Sequence, residues 1–565
     1  MKNILDGGEA IVQAFRDLDV DYVMASPGSE WGAVWEAFAR QTVNKVKGPT
    51  YLSCWHETLA ANLAVGYTWA TGRMQVVMLH AGVGLMQGSM GIHGARLARV
   101  PMVVMSGESL TFGDQDGFDP GAQWYTSLAI RGGPQNIMEP YCKWSNQATS
   151  PATLYEHVIR AGELAQRAPT GPTYLNVPIE TMMHPWVPPA KLRKVPAPPK
   201  HQVAASDIEK VAELLIQAKN PVITTEGIGR DPAGYRALVA LAETLAIPVV
   251  EGAVADFTNF PKDHPLHQGF AIRPFLDKAD VVVLVRSRVP WYPPSKGPKD
   301  ATVVVIDEAP FHDYMVYQSL QGNLFLEGDV PSTLTALCEA IKASGVNGAK
   351  VKGRLAEWSA AHDKLQEELR ASRAKARSGK AIHPITLCEA LGKTMPDNAV
   401  YVDETTTHRG MNQHHVDYKG MQSYYRVPSG LGQGLGTALG VKLADRSRPV
   451  VSLIGDGAFL YNPVPQSLGL AKNADLPILI VVYNNDGYAA MRNNQSSYYP
   501  DGTGVQHKIF PGHTINGPSY DELVQPFGGV GIKIDDPAEL EAGLKKGLKA
   551  VENGKTAIVN VVLSP

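Results

Sequence analysis

Gly455-Asp456-Gly457 closes one apolar run and Asn484-Asn485-Asp486-Gly487 closes the next, with twenty-six residues between Gly457 and Asn484. That interval holds one helix and one strand, so in a parallel sheet both motifs reach the same edge, where ligands bind. Asp456 offers a carboxylate, Asn485 a side-chain carbonyl and Gly487 a backbone carbonyl. These are hard oxygen donors suited to Mg²⁺, with a phosphorylated ligand completing the shell. Gly455 and Gly457 let the backbone approach phosphates, and the helix after Gly457 turns its amides toward them. Gly-Asp-Gly alone is a common turn; its pairing with the second motif at this spacing carries the argument.

Other residues are ambiguous by themselves. Glu57 ends the run Tyr51 to Glu57 and could be an ordinary glutamate at a helix start. His56-Glu57 is no zinc-protease signature, because position 60 is Ala. Ser429-Gly430-Leu431-Gly432-Gln433-Gly434 opens a helix, but Leu435 and Thr437 break the dinucleotide-binding spacing, which disfavours an NAD site. His80 ends the run Val76 to Leu79, and Ser29 follows Ser26-Pro27-Gly28. An imidazole there titrates near neutrality and suits proton transfer, although a lone histidine at a strand end is more often structural.

The elements that must position these groups come from an alternating pattern. Apolar runs without strict alternation (Asp21 to Gly28, Pro49 to Glu57, Met74 to Gly82, Val100 to Glu108, Gly171 to Glu180) fit strands buried on both faces of a parallel sheet. Prolines 185, 188, 189, 196, 198 and 199 mark a linker. A second block runs over about 205–344, with strands expected at Pro221 to Gly227, Ile247 to Gly252, Ala279 to Ser287 and Ala301 to Glu308. A charged helix between Lys352 and Lys380 reads as a solvated connector. The third block carries strands at Asn398 to Thr405, Arg448 to Gly457, Pro477 to Asn485 and Thr556 to Ser564. The pattern predicts an α/β chain of three consecutive doubly wound parallel-sheet domains, at 1–185, 200–345 and 380–565, the first and third related.

With 565 residues the chain is no single small module, and 52 Lys+Arg against 55 Asp+Glu leave a charge of −3, with no basic excess for a nucleic-acid partner. Four scattered cysteines (54, 142, 338, 388) form no metal or disulfide pattern. No signal-like or membrane-spanning run occurs, so a soluble, cytoplasmic protein is expected.

Together the two glycine–acid motifs, Glu57 and the three-block layout resemble the thiamine diphosphate (ThDP) enzymes of the acetolactate synthase, pyruvate decarboxylase and benzoylformate decarboxylase group, over essentially the whole chain. The resemblance implies a pyrimidine-binding, a middle and a diphosphate-binding domain, in that order. It implies that Glu57 bonds the pyrimidine ring and activates the cofactor, and that Asp456, Asn485 and Gly487 hold Mg²⁺. Thr406, Thr407, Gly455, Gly457, Ala458 and Tyr488 then surround the diphosphate side. Leu431 is the apolar wedge beneath the bent cofactor, and the Ser429 carbonyl accepts from its amino group. Ser29 and His80 match substrate-side residues of the benzoylformate decarboxylase-like branch.

Departures from the group matter for substrate. No histidine stands at the expected middle-domain position, where Trp291-Tyr292 follows Arg286-Ser287-Arg288; Phe112 to Ala122 lacks the histidine pair of pyruvate decarboxylases. Glu108 stands where the group usually has Gln, and the segment 114–124 is distinctive. No flavin pattern is recognisable around Arg286, which argues against FAD. The reading is a ThDP- and Mg²⁺-dependent lyase or carboligase acting on a 2-oxo acid, in a homodimer or homotetramer with sites shared between subunits. The alternatives are an acetolactate synthase-like transferase and a catalytically silent ThDP-binding scaffold.

Overall fold

The computed structural model describes residues 5–108, 122, 124–192 and 194–563. The segment 114–124 singled out above lies outside them, apart from residue 122 and the turn at 124.

Three parallel sheets follow one another along the chain. The first holds β1 (Tyr22–Ser26), β2 (Thr50–Ser53), β3 (Gln75–Leu79), β4 (Met102–Glu108), β5 (Trp144–Gln147) and β6 (Pro172–Pro178), in the order β2-β1-β3-β4-β6-β5. The second holds β7 (Pro221–Thr225), β8 (Val249–Glu251), β9 (Val281–Val285), β10 (Thr302–Asp307) and β11 (Leu324–Glu327), ordered β11-β10-β9-β7-β8. The third holds β12 (Val400–Glu404), β13 (Tyr424–Arg426), β14 (Val450–Gly455), β15 (Leu479–Asn484), β16 (Val530–Ile534) and β17 (Ala557–Val562), ordered β13-β12-β14-β15-β17-β16. First and third sheets share one strand order when each is counted from its own start, so the expected kinship of the two blocks is a topological fact. Central strands are buried throughout, as their unbroken Val, Ile, Leu and Met runs require once helices cover both faces.

The chain divides into two compact units. One comprises Met1–Pro199 with Val427–Ser447 and Phe459–Ile478; the other comprises Lys200–Arg426, Arg448–Ala458 and Leu479–Pro565. The first unit therefore takes in stretches that the sequence pattern assigns to the third block. The physical reason is a close helix pair. Helix Glu57–Thr71 packs on helix Gly434–Ala444, and both are buried over nearly their whole length. A Cβ on Gly66 would overlap the Thr437 carbonyl and one on Gly440 the Leu63 carbonyl, so the two backbones touch where side chains would hold them apart. Asn62 Nδ2 donates to the Gly432 carbonyl at 3.2 Å at one end of this contact.

In the second unit the helix Gly348–Arg377 runs for 30 residues, is capped by Asn347, and buries only Arg354 and His362, as its charge pattern predicts. Among the described residues no helix is long and apolar enough to cross a membrane.

Candidate active site

In the first unit, β1 and β3 are parallel neighbours whose ends bring Ser26 beside Leu79. His80 leaves β3 with its N–H donating to the Ser26 carbonyl at 2.9 Å. After β1 the chain turns through Gly28 into a single helical turn, Ser29–Trp31, fixed by Trp31 Nε1 donating to the Leu79 carbonyl at 2.9 Å. Ser29 is exposed on this turn, whereas Glu30 is 1 % exposed and faces inward. The Glu30 carboxylate accepts from His80 Nδ1 at 3.0 and 3.1 Å and from the Ala81 N–H at 2.9 Å. A Cβ on Gly28 would overlap His80 Nδ1 and one on Gly107 would overlap Glu30 Cγ, so the pair needs glycine at both places. A carboxylate that accepts from His80 here places the shared proton on Nδ1. The hydrogen bond to Glu30 raises the His80 pKa above the ordinary histidine value, against burial and with help from the charges of Glu30 and Glu57.

Glu57 begins its helix behind His56, whose Nδ1 accepts from the Thr58 N–H at 3.2 Å. Glu57 and His80 converge on Gly84: a Cβ there would lie 2.8 Å from Glu57 Oε1 and 2.7 Å from His80 Cβ. Among the described residues nothing hydrogen-bonds or ion-pairs with the Glu57 carboxylate. In the same unit the Ser429 N–H donates to Gln433 Oε1 at 3.2 Å, and Gln433 Nε2 donates to the Met90 carbonyl at 3.3 Å. The loop carrying Ser429 and Leu431 is thereby tied to the helix Gly82–Leu97, which also carries Gly84.

In the second unit, Asp456 follows β14 and Asn485 follows the adjacent strand β15, at one edge of the third sheet as their spacing predicts. Asp456 is 3 % exposed; its Oδ1 accepts from the Gly457 N–H at 2.7 Å and its Oδ2 from the Gly487 N–H at 3.1 Å. Burial raises its pKa above the ordinary carboxylate value, opposed by the N–H groups of Gly457, Gly487, Asn485 and Asp486. The side-chain oxygen of Asn485 lies 3.2 Å from both Asp456 carboxylate oxygens and 2.8 Å from the Gly487 carbonyl oxygen. Turning the amide over would put its NH₂ among them; a small cation would reconcile the oxygens equally well. Octahedral Mg²⁺ with ligands at about 2.0–2.1 Å sets neighbouring oxygens about 3 Å apart, so this donor set fits it. The Tyr488 ring covers Gly457, and Ala458 is buried beside it. Thr406 and Thr407 follow β12 and are exposed, Thr406 with φ +45°, a conformation rare for a β-branched residue. Asp403 holds that turn, accepting from Thr405 N–H at 2.8 Å and Thr405 Oγ1 at 2.7 Å.

Residues 5–125, 208–337 and 404–561 match, in turn, the N-terminal TPP binding domain, the central domain and the C-terminal TPP binding domain of thiamine pyrophosphate enzymes. The chain belongs to the thiamine pyrophosphate enzyme family. It is 24 % identical over 545 residues to sulfoacetaldehyde acetyltransferase of Castellaniella defragrans, covering 90 % of this chain and 86 % of that protein. It is also 24 % identical over 580 residues to the acetolactate synthase isozyme 3 large subunit of Escherichia coli K12, covering 99 % and 95 %. Benzoylformate decarboxylase from Polynucleobacter necessarius shares the fold at a TM-score of 0.81 and 21 % identity, covering 99 % of this chain and 98 % of that one.

Within this thiamine pyrophosphate enzyme the first unit gathers Glu57 and His80, and the second gathers Asp456, Asn485, Gly487, Gly457 and Tyr488. Ser29 lies on the turn beside His80 but makes no side-chain bond among the described residues. Glu30 was not singled out in the sequence; its only signal there was an acidic residue next to Ser29. Trp291 is buried in the middle-domain core and Tyr292 is 82 % exposed. Arg286 is engaged by Glu308 and, at 3.8 Å, by Asp231.

Proposed function

We propose that the chain is a ThDP- and Mg²⁺-dependent C–C bond lyase or carboligase acting on a 2-oxo acid. The observation that carries this reading is an unengaged Glu57 carboxylate beside a His80 braced by buried Glu30, since a scaffold that only bound the cofactor would need neither. When bound, the cofactor supplies a carbon nucleophile and an electron sink for cleaving the bond beside a carbonyl. Glu57 holds the proton shared with the pyrimidine ring nitrogen. His80 Nε2 gives and takes the proton at the substrate oxygen, and the Ser29 hydroxyl orients the substrate. Asp456, Asn485 and the Gly487 carbonyl hold Mg²⁺. Thr406, Thr407 and the backbone at Gly455, Gly457 and Ala458 hold the diphosphate, with Tyr488 alongside. The Ser429 carbonyl would accept from the cofactor's amino group, and Leu431 would supply an apolar contact to it.

The similarity to two acetyl- or acetolactate-forming enzymes supports a second ending, in which a second carbonyl and not a proton takes up the cleaved fragment. We place the protein in the cytoplasm, a compartment suited to its four free, buried cysteines. We further propose a homodimer or homotetramer whose sites combine Glu57 of one subunit with Asp456 of another. Mixing Glu57→Ala with Asp456→Ala subunits tests this: recovered activity in heterodimers requires sharing, and none contradicts it.

Hydrogen–deuterium exchange at C2 of ThDP, followed by NMR, tests the catalytic reading. The protein should accelerate exchange, and Glu57→Gln should abolish the acceleration while retaining cofactor binding. Binding without accelerated exchange would identify a silent scaffold.

A further inference from the structure

β17 reads Ala-Ile-Val-Asn-Val-Val, and Asn560 in the middle of it is 3 % exposed. A buried amide in an apolar strand costs free energy unless its donors and acceptors are met. Val559 and Val561 on either side belong to the apolar core, so alternation along the strand turns Asn560 to the opposite face of the sheet. Its Oδ1 accepts from Asn484 Nδ2 at 3.1 Å, and its Nδ2 donates to Asp521 Oδ1 at 3.2 Å. Asn484 is the last residue of β15, and its own Oδ1 accepts from the Asp486 N–H at 3.2 Å. Asp521 belongs to the helical segment Tyr520–Phe527, which lies hard against β16: a Cβ on Gly531 would overlap the Asp521 carbonyl. Among the described residues, Asn560 is the only side chain bonded to the Asp521 carboxylate. All these residues, with Asp456, lie in one compact unit.

The bonds form one chain, from Asp521 through Asn560 and Asn484 to the Asp486 N–H, and its polarity is set from the far end. A backbone N–H only donates, so Asn484 turns its oxygen to Asp486 and its NH₂ to Asn560. Asn560 then turns its oxygen to Asn484 and its NH₂ to Asp521, where a carboxylate is the acceptor this order needs. The chain ends inside the turn that carries Asn485 and Gly487. Asp486, between them, has φ +53°, and its N–H also acts on the Asp456 carboxylate. Leu563 N–H to the Asn484 carbonyl at 2.8 Å and Ile515 N–H to the Asp486 carbonyl at 3.2 Å hold the flanks of the turn.

Resting on the proposed metal assignment, we propose that Asn560 and Asp521 are positioning residues: through Asn484 they hold the turn of Asn485 and Gly487 at the spacing Mg²⁺ requires, and so set a preference for Mg²⁺ over Ca²⁺. Mg²⁺ demands near-ideal octahedral geometry at about 2.0–2.1 Å, whereas Ca²⁺ accepts oxygens at about 2.3–2.6 Å in flexible arrangements. A turn released from the chain therefore loses the smaller ion first.

Calorimetric titration of ThDP into the full-length, metal-depleted protein, with saturating Mg²⁺ or saturating Ca²⁺, reads two affinities without turnover. Their ratio is the readout, because a general weakening of the fold lowers both alike. Asn560→Leu removes both amide bonds in the strand. Asp521→Ala removes only the last acceptor, at the half-buried end of the chain, and touches no strand. Asp521→Asn keeps an acceptor oxygen and removes the charge. Asn560→Leu should lower the Mg²⁺/Ca²⁺ affinity ratio roughly 2- to 12-fold, the range of a neutral hydrogen bond, and Asp521→Ala should lower it in the same direction. Asp521→Asn should keep the wild-type ratio. An unchanged ratio in Asn560→Leu and Asp521→Ala overturns the proposal and leaves Asn560 a residue of the fold. A ratio as low in Asp521→Asn as in Asp521→Ala overturns it too, since the effect would then belong to the charge. Asp456→Ala, titrated alongside, separates this proposal from the reading it rests on. If that variant alone loses Mg²⁺-dependent ThDP affinity, the metal assignment stands and the positioning role falls; if it loses none, the metal assignment is refuted and the proposal with it.

Discussion

Glu30→Gln keeps the volume of a buried side chain and removes its charge. In the native site two carboxylate oxygens serve two donors, His80 Nδ1 and the Ala81 N–H, at 2.9 to 3.1 Å. Glutamine brings one oxygen for those two donors and adds an NH₂ in a pocket closed by Gly28 and Gly107. A charge-assisted hydrogen bond of about 1.5–3 kcal/mol becomes a neutral one of about 0.5–1.5 kcal/mol, a difference of roughly 1–2 kcal/mol. At about 1.4 kcal/mol per decade that is a fall of roughly 5- to 30-fold in turnover through His80. The pH profile carries the specific signature. Glu30 holds the folded-state pKa of His80 above its ordinary value, so the imidazolium persists to higher pH. The stability this pair contributes is complete below the unfolded histidine pKa and lost as pH rises through the folded one. Glu30→Gln should therefore move the basic limb of kcat/KM, and the NMR titration of His80, to lower pH, with ThDP affinity preserved. A limb that stays in place or moves upward would refute the role of Glu30 in bracing His80.

Asp456→Ala removes the charged member of the oxygen set and should weaken ThDP binding by at least tenfold in calorimetry, with the Mg²⁺ requirement lost or displaced; unchanged affinity would contradict the metal assignment. His80→Ala should leave C2 exchange near wild type while lowering turnover by roughly 10²–10⁴. Turnover within about threefold of wild type, too small an effect for a general acid–base, would make His80 structural.

Much of the fold was legible because central strands of a parallel sheet are buried on both faces and read as unbroken apolar runs. The strands the pattern missed, Trp144–Gln147, Leu324–Glu327, Tyr424–Arg426 and Val530–Ile534, are all sheet edges. They are short or partly exposed, and polar residues interrupt their apolar signal. Asp456 and Asn485 were legible because spacing along the chain maps onto neighbouring strands. Glu30 was not, since its partner lies fifty positions away and the contact depends on glycines at 28 and 107. The joining of 427–447 and 459–478 to the first unit likewise rests on a helix contact between residues about 370 positions apart.

The most direct test of the central claim is release of labelled CO₂ from a panel of 1-¹³C 2-oxo acids, aromatic, aliphatic and dianionic, with and without aldehyde acceptors. The account predicts release that requires both ThDP and Mg²⁺, is abolished by Glu57→Gln, and is matched by an equal amount of aldehyde or ligated product. No labelled CO₂ from any member of the panel with ThDP bound, or release indifferent to Glu57, would contradict it.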